Sequence, residues 1–121
     1  MNIKYEPLHI TVESWGSAVS LLSLAGYVDV WTAPELKQVL IDLHGQGIHR
    51  LVVDLNGLDF IHATGMGVLL GAHKRALVQG GAVELVCRRD EFLELLEIGG
   101  LTAVFRIYGS PEDARAQLGL A

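Results

Sequence analysis

Cysteine is nearly absent: Cys87 stands alone, which excludes an internal disulfide and fits a reduced compartment. It sits in the apolar run AVELVC and reads as a small buried core residue. Basic charge is also scarce, with 9 Lys and Arg against 14 Asp and Glu and a net charge of −5. The cations are scattered or in short pairs such as Lys74-Arg75 and Arg88-Arg89, so no phosphate-tracking basic face is expected and nucleic acid is a poor partner. No apolar stretch reaches the length of a membrane span, and MNIKYEPLHITVES lacks signal-peptide character, so the expectation is a soluble, cytoplasmic protein with no membrane contact. Repeats, linkers and low-complexity tracts are missing. A chain of 121 residues with 50% hydrophobic content is then expected to fold as one domain with one ordinary core.

Motifs for chemistry are missing too. There is no G-K-[ST] for a phosphate loop, no G-x-S-x-G, and no paired-carboxylate pattern. Gly65, Gly67 and Gly71 follow G-x-G-x-x-x-G, which is not the dinucleotide fingerprint. They read instead as residues for a sharp turn and close helix packing. The histidines His9, His44, His49, His62 and His73 show no recurrent ligand spacing, so neither a metal nor a cofactor is expected. Asp54 ends an apolar strand as a receiver-domain phosphoacceptor does. The acidic pair and the lysine that such a site needs are absent, and Asp54 reads as structural. The chain reads as a binding module and not an enzyme. A small enzyme or nucleotide binder using His62, Asp29 and Asp59 is the contrary possibility.

What is there is a regular alternation of elements. Leu8 to Glu13 alternates apolar and polar side chains, Ser14-Trp15-Gly16-Ser17 is turn-prone, and Ala18 to Ala25 follows, which predicts a hairpin. Thr32 and Glu35 have capping-box spacing, with Trp31 and Leu36 at the staple positions. A first helix therefore starts at Thr32, buries Leu36, Val39, Leu40 and Leu43, and stops at Gly45 and Gly47. Leu51 to Leu55 predicts a central strand ended by the turn pair Asn56-Gly57. Met66, Leu69, Leu70, His73 and Leu77 keep helical period up to Gly80-Gly81. Ala82 to Cys87 is the next strand, Asp90 caps a helix carrying Phe92, Leu93 and Leu96, Val104 to Tyr108 is the last strand, and Ser110-Pro111-Glu112 starts the last helix. Strands separated by helices need crossover connections, so the expected architecture is an α/β sandwich with a mostly parallel sheet and an antiparallel edge.

The stretch LVVDLNGLDFIHATGMGVLL, residues 51 to 70, leads a strand through a loop to Thr64 at a helix start. Helix N-terminal amides lack intrahelical partners and sit at the positive dipole end, so an oxyanion on Thr64 is stabilised there. As a plain N-cap the same threonine contributes about 1 kcal/mol. His62, two residues before it, lies on the connecting loop.

With these residues in place, the chain resembles the STAS domain of bacterial anti-sigma factor antagonists from about Leu8 to Leu118. LAGYVDVWTAPEL is similar to the family's early G-x-x-D segment, with Gly26 and Asp29 at the matching positions. LVVDLNGLDFIHATGMGVLL resembles its strand, phosphorylation loop and second helix, and GLTAVFRIYGSPEDARAQL its closing stretch. The resemblance implies a mixed, mostly parallel sheet with an N-terminal antiparallel strand and helices mainly on one face. Where the family commonly has D-S-S-G, this chain has His62-Ala63-Thr64-Gly65, which places Thr64 on the acceptor position and loses the aspartate and the first serine. The implied function is an anti-sigma factor antagonist, switched by phosphorylation of Thr64. Its partner is an anti-sigma factor with serine/threonine kinase activity, opposed by a PP2C-type phosphatase. Asp29, His62, Ala63, Gly65, Met66, Gly67 and Leu70 form the partner-binding loop and helix, with Met66 exposed in the first turn, in a monomer or weak dimer. The alternative within the fold is a scaffold or transporter-associated subunit, stressosome-like or on a lipid-transport ATPase, without phosphorylation control.

Overall fold

Two β-rich segments open the fold, β1 (Leu8–Gly16) and β2 (Val19–Val28), paired antiparallel. Helix α1 (Ala33–Gly45) leads to β3 (Arg50–Ile61), α2 (Ala63–Val78) to β4 (Ala82–Val86), and α3 (Asp90–Ile98) with a 3-10 turn (Leu101–Ala103) to β5 (Ile107–Tyr108); α4 (Pro111–Gln117) closes the chain. This computed structural model describes residues 7–16 and 18–120. The stretch before Pro7 and the Ser17 end of the expected turn lie outside them. The five strands run in sequential order, β2 to β5 parallel, as the crossover argument required.

The sheet is covered unequally. Leu22, Leu24, Val28, Val53, Leu55, Leu58 and Leu85 face a large core shared with Leu36, Leu40 and Leu43 of α1, Leu69 and Ala72 of α2, and Phe92 and Leu96 of α3. On the other face a smaller cluster of Trp15, Val19, Leu21, Val52, Val86 and Tyr108 packs on Ala114 of α4. Cys87 is buried at 3% exposure within the main core, and burial pushes its thiol up from the ordinary value.

Several local expectations are overturned, each for an identifiable reason. Asn56-Gly57 does not turn: β3 runs on to Ile61 through two bulges, where Ser23↔Asp54 gives way to Ala25↔Gly57 and Gly26↔Leu58 to Tyr27↔Phe60. Asn56 is instead a junction, its Oδ1 accepting from Arg88 N at 2.8 Å and its Nδ2 donating to Gly109 O at 3.3 Å. Gly57 belongs there because an added Cβ would lie 2.6 Å from Leu24 O. Asp54 is structural as read, its Oδ1 accepting from Asn56 N at 2.9 Å. Ser14, Trp15 and Gly16 extend β1 and do not turn. Arg89, not Asp90, is the cap position of α3. The segment from Val104 is strand only at Ile107–Tyr108, because Gly100 in the left-handed region starts a 3-10 turn over 101–103. Ser110 does cap α4, accepting from Asp113 N at 3.1 Å.

A buried polar pair joins β4 to the edge strand β5: the Tyr108 hydroxyl donates to Glu84 Oε2 at 2.8 Å. Burial, then the hydrogen bond to Glu84, raises the tyrosine above its ordinary value. Because the folded value is raised, this contribution is complete below the ordinary tyrosine pKa of about 10 and is lost as pH climbs through the folded value. Tyr108→Phe leaves the buried Glu84 carboxylate without its donor and is expected to lower stability at neutral pH by about 1–3 kcal/mol. Urea melts from pH 7 to 11 check this, since the variant must lose the alkaline fall of the wild type.

Candidate functional site

Parallel β2 and β3 end at the same edge of the sheet, where α/β folds commonly present their sites. Val28 O accepts from His62 N at 2.7 Å, so the loop into α1 and the loop into α2 leave side by side. In the first loop Asp29 Oδ1 accepts from Trp31 N and Thr32 N, both at 2.9 Å. Thr32 Oγ1 accepts from Asp29 N and donates to Tyr27 O, each at 2.9 Å. Thr32 is therefore turned back into the loop, and the capping box with Glu35 does not form. The staple fails too: Leu36 is fully buried but Trp31 is 84% exposed. Asp29 is thus the organiser of this turn, and Trp31 with half-exposed Val30 projects beside the site.

In the second loop His62, with extended backbone, is the N-cap of α2. Its Nδ1 accepts from Thr64 N at 3.1 Å and lies 3.0 Å from Thr64 Oγ1. With the ring proton on Nε2, Nδ1 receives both the amide and the hydroxyl hydrogen. Thr64 is consequently the second residue of the helix and not its cap, which corrects that reading; Ala63 and Thr64 are both exposed. The histidine performs here what an aspartate does at many helix starts, and in that tautomer its Nδ1 also accepts from the Thr64 hydroxyl.

The glycines divide by role. A Cβ on Gly65 would lie 2.3 Å from Val28 Cγ1, so Gly65 is where α2 closes on β2. Gly67 faces open space and is exposed; neither residue makes a sharp turn, since both lie within α2. Met66 is 8% exposed and joins the main core, so it is not the exposed contact expected of it. Leu70 is half-buried against that core. Leu77 is 54% exposed, and the buried stripe runs through Ala72, His73 and Ala76.

Sequence reasoning missed two features. Thr64, Gly67, Val68, Gly71 and Arg75 follow the helical period on one face of α2 and, with Lys37 of α1, line a cleft of about 260 Å³. Beside the loops, Tyr27 and Phe60, adjacent in register, place their rings 6.4 Å apart at 42% and 43% exposure, forming an exposed aromatic pair. The period of the first was legible; the second depended on the bulges. Asp59 is exposed, and among the described residues no group of three His, Cys, Asp or Glu side chains is placed to hold a metal. His44 and His49 do meet, Nδ1 to Nδ1 at 3.2 Å, which their spacing had not suggested. No helix among the described residues is long and apolar enough to cross a membrane.

A mixed five-stranded sheet, three helices on one face and an exposed hydroxyl beside the paired loops define the class: residues 10–114 match the STAS domain, and the chain belongs to that family. Within it, the anti-sigma-B factor antagonist of Bacillus subtilis (strain 168) is 32% identical over 91 residues, covering 75% of this chain and 83% of the relative. An anti-sigma factor antagonist from Mycobacterium paratuberculosis superposes with a TM-score of 0.81 at 25% identity, over 91% of this chain and 92% of that one. The Bacillus cell fate determinant SpoIIAA in its phosphorylated form shares the fold, with a TM-score of 0.74 at 16% identity, over 91% and 99% of the two chains.

Proposed function

We propose that this chain is an anti-sigma factor antagonist whose grip on its partner is released by phosphorylation of Thr64. The observation that carries the reading is the placement of Thr64: an exposed hydroxyl in the first turn of α2, oriented by His62, at one end of the α1–α2 cleft. Kinship with anti-sigma-B factor antagonists supplies the class of partner. The contact surface comprises Ala63, Thr64 and Gly67 on α2, flanked by Val30 and Trp31. Asp29 and Gly65 position it, the one by tying its turn and the other by seating the helix. Met66 and Leu70 support it from beneath.

A phosphate adds about −1.5 to −2 charges at neutral pH. The helix N-terminus tolerates that charge, so the fold stays as it is, while a partner surface shaped for a hydroxyl does not. The enzyme that adds the group is the anti-sigma partner acting as a serine/threonine kinase, and a PP2C-type phosphatase removes it. The test is to incubate the chain with its cognate anti-sigma factor and ATP, then read intact mass and map peptides. One phosphate on Thr64, absent in Thr64→Val, is the expected result. A stable complex with no modification, or modification elsewhere, overturns the switch.

A further inference from the structure

Arg75 holds an unanswered charge. Its Nε and Nη2 are buried from water without a hydrogen-bond partner, and an added Cβ on Gly71 would lie 3.5 Å from its Nη1, so the guanidinium folds back along α2 over Gly71. Two other arginines have partners. Arg115, whose Nε is likewise buried and unbonded, lies 5.3 Å over the Trp15 ring. Arg89 donates to Glu91, Asn56 O and Leu58 O. Among the described residues Arg75 has neither ring nor acid, and a buried charged donor left unmatched is costly. The cleft it occupies carries a second cation, Lys37, and is floored by Gly67 and Gly71, which leave the α2 backbone bare. Gly71 lies about 10 Å along the helix axis from Thr64. At that distance from Thr64, an anion entering the cleft from outside meets Arg75 through Nη1, the guanidinium nitrogen over Gly71 that is not closed off by the protein, beside Lys37.

We infer that the α1–α2 cleft is the docking site for an acidic segment of a protein partner, its carboxylates pairing with Arg75 and Lys37. Charge complementarity favours this occupant: two cations face the cleft in a chain of net charge −5, and the absent side chains at 67 and 71 admit a second backbone closely. The cleft shares Thr64 and Gly67 with the surface of the anti-sigma reading and rests on that reading for the partner's identity.

An oligoglutamate peptide titrated into ¹⁵N-labelled protein tests it. The Arg75 Nε–H resonance and the Gly67 and Gly71 amides are expected to shift saturably, with no response to oligolysine and a far weaker one to inorganic phosphate. Arg75→Gln removes the response, and Gly71→Leu, which fills the cleft and keeps both charges, weakens it by about ten-fold. Unmoved resonances, an unchanged response in Arg75→Gln, or phosphate matching the peptide overturns the inference. Against the cognate anti-sigma factor, Arg75→Gln is expected to weaken binding about ten-fold whether residue 64 is Thr or Val. Peptide binding without capture of any anti-sigma factor keeps the cleft and sinks the functional reading. A captured partner indifferent to Arg75→Gln does the reverse.

Discussion

Gly65→Val is expected to lower the unfolding free energy by about 3 kcal/mol, whereas Gly67→Ala, two residues along the same helix, raises it by up to about 1 kcal/mol. The opposite signs follow from what each new Cβ meets. At Gly65 it would lie 2.3 Å from Val28 Cγ1 and 3.4 Å from Ile61 Cγ1, side chains that are 0% and 3% exposed. Val28 is β-branched with one comfortable rotamer and nowhere to move, so α2 itself must shift off β2. Valine's γ-methyls deepen the clash, and its helix propensity returns little. At Gly67 nothing lies within 4 Å, so alanine only removes unfolded-state freedom from a helix interior. Urea melts of both variants check this through the midpoint at constant slope. A Gly65→Val protein as stable as wild type would mean that α2 does not seat on Val28, and with it the placement of Thr64 beside the first loop would fall.

The order of elements was legible because period and breakers agree nearly everywhere: alternation in β1, the Leu36-Leu40-Leu43 stripe in α1, and Ser110-Pro111 before α4. Boundaries failed where backbone or side-chain partners distant in sequence decide. Asn56-Gly57 has turn chemistry, yet Arg88 N and Gly109 O claim the asparagine side chain and hold the strand extended. Thr32 has cap chemistry, yet Tyr27 O takes its hydroxyl. In α2 the apolar residues surround the helix, so composition could not choose between Leu77 and Ala76. Gly65 against Val28 and His73 Nδ1, which accepts from Val83 N at 3.0 Å, fix which face turns inward. The position of Thr64 was readable, but its capping partner was not: histidine is an uncommon N-cap, and only the 3.1 Å contact from Thr64 N reveals it.

Thr64→Glu is expected to weaken binding to the cognate anti-sigma factor by at least about 100-fold, or about 2.7 kcal/mol, while Thr64→Val stays within about ten-fold of wild type. The asymmetry is the signature of a charge switch. Glutamate at the second position of α2 suits the helix dipole, so the folded state gains slightly and loss of binding does not reflect unfolding. The cost arises only when the partner covers the site and the carboxylate gives up water without a matching cation. Valine keeps the shape of threonine and surrenders only the hydroxyl hydrogen bond to His62 Nδ1, while the Thr64 amide bond to the same nitrogen is a backbone contact and survives. A simple structural role for Thr64 predicts the reverse order, with Val the more damaging of the two, through a cap network weakened by about 1 kcal/mol. Calorimetric titration of both variants separates the readings, with thermal melts run alongside. Tight binding by Thr64→Glu would leave Thr64 as a structural residue and its phosphate, if one is ever placed there, without consequence for the partner.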